Sequence, residues 1–417
     1  MVVSRFGKLK LKRQVLSHPE PDGHVMPGNT VLPPHGGIII TRGIQEWACL
    51  LPGELSFTSA ARLLGWQARE EELLSDTTLR TLVREHGQWI RQAEAAEVQA
   101  LWQCPDLLTL TPQLVENQPT RRRASWPAEL NAAVEKALAA GAARAPEGIS
   151  RADWERVLQR HEQDERLPAT QLRRLGPEVG ETEILVTADE VLVRRPEARR
   201  FWELRTARVV TAAGYRYLSG TGESFLQRLF LFLLILGAGQ QCFLLFIADG
   251  ARWIRNFFDQ MLSQASRVKM ILDWYHLRKK GYELSSMICR GRQEKTKFLM
   301  TLYAHLWRGD VPAAIQSLQE YAPQAKNREK LTELINYLQT REAIIPNYQE
   351  RRRQCQYIGS GHVEKSNDLL VARRQKKRGM HWSLDTSDAL TALKTLMLNE
   401  GWELYWSHRQ VLPLVRT

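Results

Sequence analysis

Between Glu181 and Gly220 apolar and polar residues alternate in three successive runs, EILVTADEVLV, FWELRTARVVT and YRYLSG, rich in β-branched and aromatic side chains and separated at hairpin spacing. Alternation at period two puts every second side chain on one face, so three antiparallel strands are predicted. The pattern then changes. Ser224 to Leu236 is strongly apolar over helical length, and CFLLFIAD, closing on Asp249, is a continuous apolar run suited to a strand buried on both faces. ARWIRNFFDQML predicts a helix, VKMILDWYHL another strand, and residues 280–356 are helical in pattern throughout. After the break at Gly359–Ser360–Gly361 a helix is predicted through HVEKSNDLLVARRQKK. The order is βββαβαβ, a helical stretch, then α, without internal repeats.

Upstream the signals are weaker. Residues 1–50 are Pro/Gly-rich, and GKLKLKR places Lys8, Lys10 and Lys12 on one side of a short strand or arm, which a solvated edge explains equally well. From Leu51 the pattern is helical. Ser56 can cap a helix carrying Ala60, Ala61, Leu63 and Leu64 and stopping at Gly65; Ser75 can cap a second with Leu79, Leu82 and Val83, ending at Gly87. With SDTTLR opening the second helix, the pair looks like a helix-turn-helix in which Thr77, Thr78 and Arg80 would face DNA. The turn is longer than such motifs use, and an ordinary helical hairpin gives the same pattern. Residues 111–178 are Ala-, Arg- and Glu-rich and read as a helical linker with a basic patch at Arg121 to Arg123. The expected organisation is a basic arm over 1–50, a helix-turn-helix-like region over 51–110, that linker, an α/β mixed-sheet domain over 179–390 with an all-α insertion near 280–356, and a C-terminal helix and tail over 391–417.

Composition sharpens this picture. The chain has 417 residues, 43% of them hydrophobic, enough for real cores and against wholesale disorder. Five scattered cysteines without a C-x-x-C pair fit neither a disulfide framework nor a zinc ribbon, and point to a reducing, cytoplasmic compartment. No signal peptide is visible. Leu229 to Ala248 is nearly uncharged over 20 residues, but Gly237, Gly239, Gln240 and Gln241 split it into two runs better placed in a core than in a bilayer.

The formal net charge is +12, and residues 351–380 hold nine Lys or Arg against Glu364 and Asp368. This excess of seven includes Arg373, Arg374, Lys376, Lys377 and Arg378, as an enzyme gripping a polyanion would need. Asp189 and Asp249 close apolar strands, where a carboxylate is partly desolvated and requires an Arg, a helix terminus or a metal. Each alone is more often a turn former or a cap. Glu364 adds a third carboxylate in the first turn of the last predicted helix, above Asn367, Val371, Arg374 and Arg378 on one face. Three carboxylates suit two Mg²⁺ ions about 4 Å apart, the arrangement for in-line attack at a phosphodiester, and Mn²⁺ takes the same oxygen ligands. Nucleophile elbows and phosphate-cradling Gly loops are absent.

Asp189, Asp249, DWYH at 273–276, the helical insertion, IGSGHVEKSN and RGMHWS at 378–383 together resemble the DDE transposases of bacterial insertion sequences, in the Mutator-related branch. ALTALKTLMLNEGWELYW, 389–406, is similar to their C-terminal helix, and coverage is about 181–406. The resemblance implies an RNase H-like fold bringing Asp189, Asp249 and Glu364 together as catalytic metal ligands, with Asp273 and His276 as the supporting D-x-x-H motif. A histidine in WYH is otherwise more often a core residue. Family members often have Gly after the first aspartate, where this chain has Glu190.

The expectation is therefore a transposase that binds the terminal inverted repeats of its element in double-stranded DNA, as a homodimer holding two ends, and carries out Mg²⁺-dependent hydrolysis and strand transfer. Two rivals are a nuclease of the same fold without strand transfer, and a non-catalytic DNA-binding regulator.

Overall fold

The computed structural model describes residues 1–10, 38–112, 182–197, 200–262, 265, 267–354, 356–376 and 379–416, with short strand pieces at 16–17, 24–25 and 34–35. Most of the linker expected over 111–178, including Arg121 to Arg123, lies outside the described residues, as do Lys12, Lys377 and Arg378.

At the centre is a five-stranded mixed sheet of β1 (Thr182–Arg194), β2 (Phe201–Thr211), β3 (Gly214–Gly220), β4 (Cys242–Ala248) and β5 (Val268–Leu272), in the order β3-β2-β1-β4-β5. The first three are antiparallel neighbours, as their alternation predicts; β4 runs parallel to both β1 and β5. Burial explains the two sequence textures. In β4, Phe243, Leu245 and Ile247 enter one core while Leu244, Phe246 and Ala248 enter the other, so no position is left to be polar.

The helices are α1 (Arg42–Leu50), α2 (Phe57–Ala68), α3 (Asp76–Trp102), α4 (Gly222–Ile235), α5 (Arg252–Phe257, continued by a π turn to Leu262), α6 (Trp274–Ile288), α7 (Arg292–Trp307), α8 (Val311–Tyr321), α9 (Arg328–Gln339), α10 (Tyr348–Arg353), α11 (Gly361–Asn367), α12 (Leu384–Leu398) and α13 (Trp402–His408). One core joins α1 to α3, one sheet face and α12 to α13; a second lies between the other face and α4 to α5; a third fills the insertion, α6 to α10.

Several local expectations are corrected. The strand expected through DWYHL ends at Leu272, because the Asp273 carboxylate accepts the amides of Tyr275 and His276 and caps α6. Gly65 and Gly87 do not stop their helices. At Gly87, α3 crosses α12 so closely that a Cβ would lie 2.3 Å from Ala389 Cβ, and α3 runs on to Trp102 with Leu79, Leu82, Val83 and Ile90 buried. The closing segment is two helices, broken at Asn399–Gly401, and α12 spans the division expected at 390. Near the N-terminus, Val2–Ser4 pairs with Gly7–Leu9 and with Ile38–Ile40, and α1 follows where no helix was expected. No helix of the described residues is long and apolar enough to cross a membrane.

Candidate active site

Asp249 lies just beyond the end of β4 as expected, but Asp189, expected to close its strand, lies inside β1, which runs on to Arg194 because its pairing with β2 continues past it. Asp189 is half-buried and strongly oriented: Asn367 Nδ2 donates to its Oδ2 at 2.5 Å and the Glu190 amide to its Oδ1 at 2.8 Å. Asn367 is itself held, because its Oδ1 accepts from the Thr206 hydroxyl of β2. Asp249 accepts the Ala251 amide at 2.7 Å through Oδ1. Burial, then the neighbouring Asp249 charge, pushes the Asp189 carboxyl up to about 7.

Glu364 stands in the first turn of α11, its side chain 61% exposed. His276 Nε2 lies 4.0 Å from Glu364 Oε1, and His276 Nδ1 lies 3.6 Å from Asp273 Oδ2, too long for a hydrogen bond yet close enough to attract. The imidazole is raised above its ordinary value first by its contact with Asp273 and also by Asp249 and Asp189. His276 is therefore close to Glu364 and within electrostatic reach of Asp249 and Asp189. Asp273 is almost fully buried and is held low by His276 and Ser360 against its burial. Besides capping α6 it accepts the amide and hydroxyl of Ser360, fastening the loop that launches α11. Gly359 in that loop lies on Tyr275, where a Cβ would come 2.6 Å from Cδ2, so a larger residue there would displace the Tyr275 ring.

No family model matches this chain, and no curated protein matches it.

Metal binding was expected at Asp189, Asp249 and Glu364. Among the described residues no three His, Cys, Asp or Glu side chains converge closely enough to hold an ion as they stand. The three carboxylates share one end of the sheet and one histidine, but not one coordination sphere.

The basic stripe is corrected by burial. Below Glu364, where a π turn (Asp368–Ala372) and a last helical turn (Arg373–Gln375) continue α11, the helix turns inward: Asn367, Val371 and Arg374 are 8%, 0% and 4% exposed. Arg374 donates to the Pro52 carbonyl at 2.6 Å and lies over the rings of Phe57 and Trp382, so it holds the N-terminal helices and does not offer itself to phosphate. Arg351 is likewise buried on the Tyr357 carbonyl. Lys376 is exposed and Arg373 half-buried. At the start of α3, Thr77 and Arg80 are exposed with Asp76 between them, whereas the Thr78 hydroxyl is bonded to Ser75.

Three residues named in the sequence only by position have roles that it did not assign. Asn367, one turn beyond Glu364, orients Asp189; Ser360 receives Asp273; and Glu190 is bonded by the Trp253 indole, whose ring the Arg205 guanidinium covers. The helical spacing of Asn367 from Glu364 was a usable signal; the Glu190–Trp253 pairing spans 63 positions and carried none.

Proposed function

We propose that this chain is a DDE-type DNA transposase acting through Asp189, Asp249 and Glu364. One observation carries the reading: two carboxylates at neighbouring positions of adjacent parallel strands, one of them pushed to about 7, lie within electrostatic reach of a histidine whose Nε2 is 4.0 Å from a glutamate arriving from a helix 115 residues further on. Forcing acidic groups together in a partly desolvated place costs stability and is expected where a cation is to be bound. The strand order and the helical insertion support the RNase H-like reading that the sequence resemblance implies.

The donor set fits Mg²⁺ or Mn²⁺ in chemistry, being carboxylate oxygen without sulfur, and Asp189 lacks a strong counter-charge of its own. Asp189, Asp249 and Glu364 would hold the metal, with Glu364 turning in from its exposed position. Bound there, the metal would activate water or a 3′-OH and stabilise the leaving oxygen. The chain's own residues do the positioning. Asn367 fixes the Asp189 carboxylate, Asp273 anchors both α6 and the loop before α11, and His276 sets Nε2 toward Glu364 at the edge of the site. Lys376, Arg373, Lys377, Arg378 and the first turn of α3 are the proposed grip on double-stranded DNA, with two copies of the chain bringing two ends together.

The test is cleavage and joining of DNA carrying the inverted repeats that flank the gene. Wild-type protein is expected to nick at the repeat end and join the 3′-OH to target in Mg²⁺, and Asp249→Asn to lower cleavage at least a hundredfold with DNA binding retained. Cleavage without joined products would support the nuclease instead, and full function in Asp249→Asn the non-catalytic regulator.

A further inference from the structure

The exposed face of α6 begins at the active site and continues away from it across the insertion. Tyr275 and Tyr282 are 55% and 59% exposed, unusual for large aromatics, and both stand on this face. They are seven residues and two helical turns apart, about 10.5 Å along the axis. Arg278 and Lys279, also exposed, lie between them on the same side. At the corner with α7, Arg292 is exposed and Lys295 reaches back, its Nζ 3.3 Å from the Tyr282 ring centroid and 2.7 Å from Ser286 Oγ. From Tyr275 to Lys297 the chain carries seven Lys or Arg against Glu283 and Glu294, and Glu294 is tied to the Tyr321 hydroxyl and the Arg290 amide.

We infer that this face is a track for unpaired DNA: a single strand leaving the active site stacks its bases on Tyr275 and Tyr282 while Arg278, Lys279, Arg292 and Lys295 neutralise its phosphates. The inference rests on the transposase reading and adds where the strand goes. A merely solvated basic face accounts for the cations but not for two large aromatics presented to water at a helical repeat. Interleaved rings and cations are the chemistry of single-strand recognition, because every unpaired base has a π-face whereas a duplex hides its own. The spacing fits as well, since about 10.5 Å accommodates one or two nucleotides between the stacked bases. Tyr275 lies against Gly359 at the mouth, and Tyr282, 59% exposed, has the Lys295 ammonium against its ring.

Fluorescence anisotropy on the full chain tests this with two probes: a blunt duplex, and the same duplex with a short unpaired oligothymidine tail. Wild-type protein should prefer the tailed probe. Tyr282→Ser should weaken tailed binding about tenfold and leave blunt binding unchanged, and Tyr282→Phe should keep the preference. The side chain is exposed, so its loss should not shift the thermal midpoint. An intact tail preference in Tyr282→Ser, an equal loss on both probes, or no preference in the wild type would overturn the track. The underlying reading is judged separately by Mg²⁺-dependent cleavage. A chain that cuts DNA without a Tyr282-dependent tail preference sinks the track alone; one that holds the tail through Tyr282 but cuts nothing sinks the transposase and supports the track.

Discussion

Single residues show how far charge and position can be read without the fold. Asp189, Asp249 and Glu364 stand out because a carboxylate within or ending an apolar strand or opening a helix needs a reason, and all three lie within electrostatic or contact reach of His276. Arg374 stands out for the wrong reason. A run of cations resembles a substrate grip, but nothing in the run says that this guanidinium meets Phe57 and Pro52, more than 300 positions earlier. Arg374→Gln should therefore lower stability by about 2–4 kcal/mol in urea unfolding, since it strands a buried carbonyl and removes the packing of the guanidinium on two rings. It should leave the salt dependence of DNA binding unchanged. Lys376→Gln should do the reverse, keeping the unfolding midpoint and reducing the slope of log affinity against log salt by about one.

At the scale of elements, period-two and period-3.6 patterns identify the strands of the central sheet and most helices, because burial on one or two faces imposes them directly. Ends are another matter. Glycine commonly terminates helices, yet Gly87 lies mid-helix because α3 and α12 cross there with almost no separation. Gly87→Ala decides between the two roles. An isolated helix would gain about 1 kcal/mol from the change. Here the new Cβ would lie 2.3 Å from Ala389 Cβ and 2.4 Å from its Cα, and a backbone atom cannot swing aside. Overpacking typically costs about 1–3 kcal/mol, so a net loss is expected as a lower denaturant midpoint at unchanged m-value.

At the scale of the whole molecule, one core joins the N-terminal helices, a sheet face and the C-terminal helices, pinned by the buried pair of Lys394 with Glu54 and the half-buried pair of Arg91 with Asp388 at 2.8 Å. The site at the edge of that core has a pH signature. Asp189 is raised from 3.8 to about 7 in the folded chain. A raised pKa stabilises the fold fully below the unfolded value, and that contribution is lost as pH rises through about 7. Asp273 and Glu94, held low, act oppositely and weaken the fold as pH falls. In EDTA, Asp249→Asn should remove part of the repulsion on Asp189. Its melting temperature should therefore exceed that of the wild type by a few degrees at pH 8, with the gap closing at pH 5; equal gaps at both pH values would contradict the repulsion.

By itself the sequence determined the order of strands and helices from Glu181 to the insertion and the three carboxylates worth watching, because local periodicity and the cost of desolvating charge are properties of a short stretch of chain. Only the tertiary structure decided which cations face water, which glycines are contacts, and that His276, Asn367 and Asp273 organise the site. Those depend on what a side chain meets across long separations in sequence, and no local pattern encodes a neighbour that arrives from the other end of the chain.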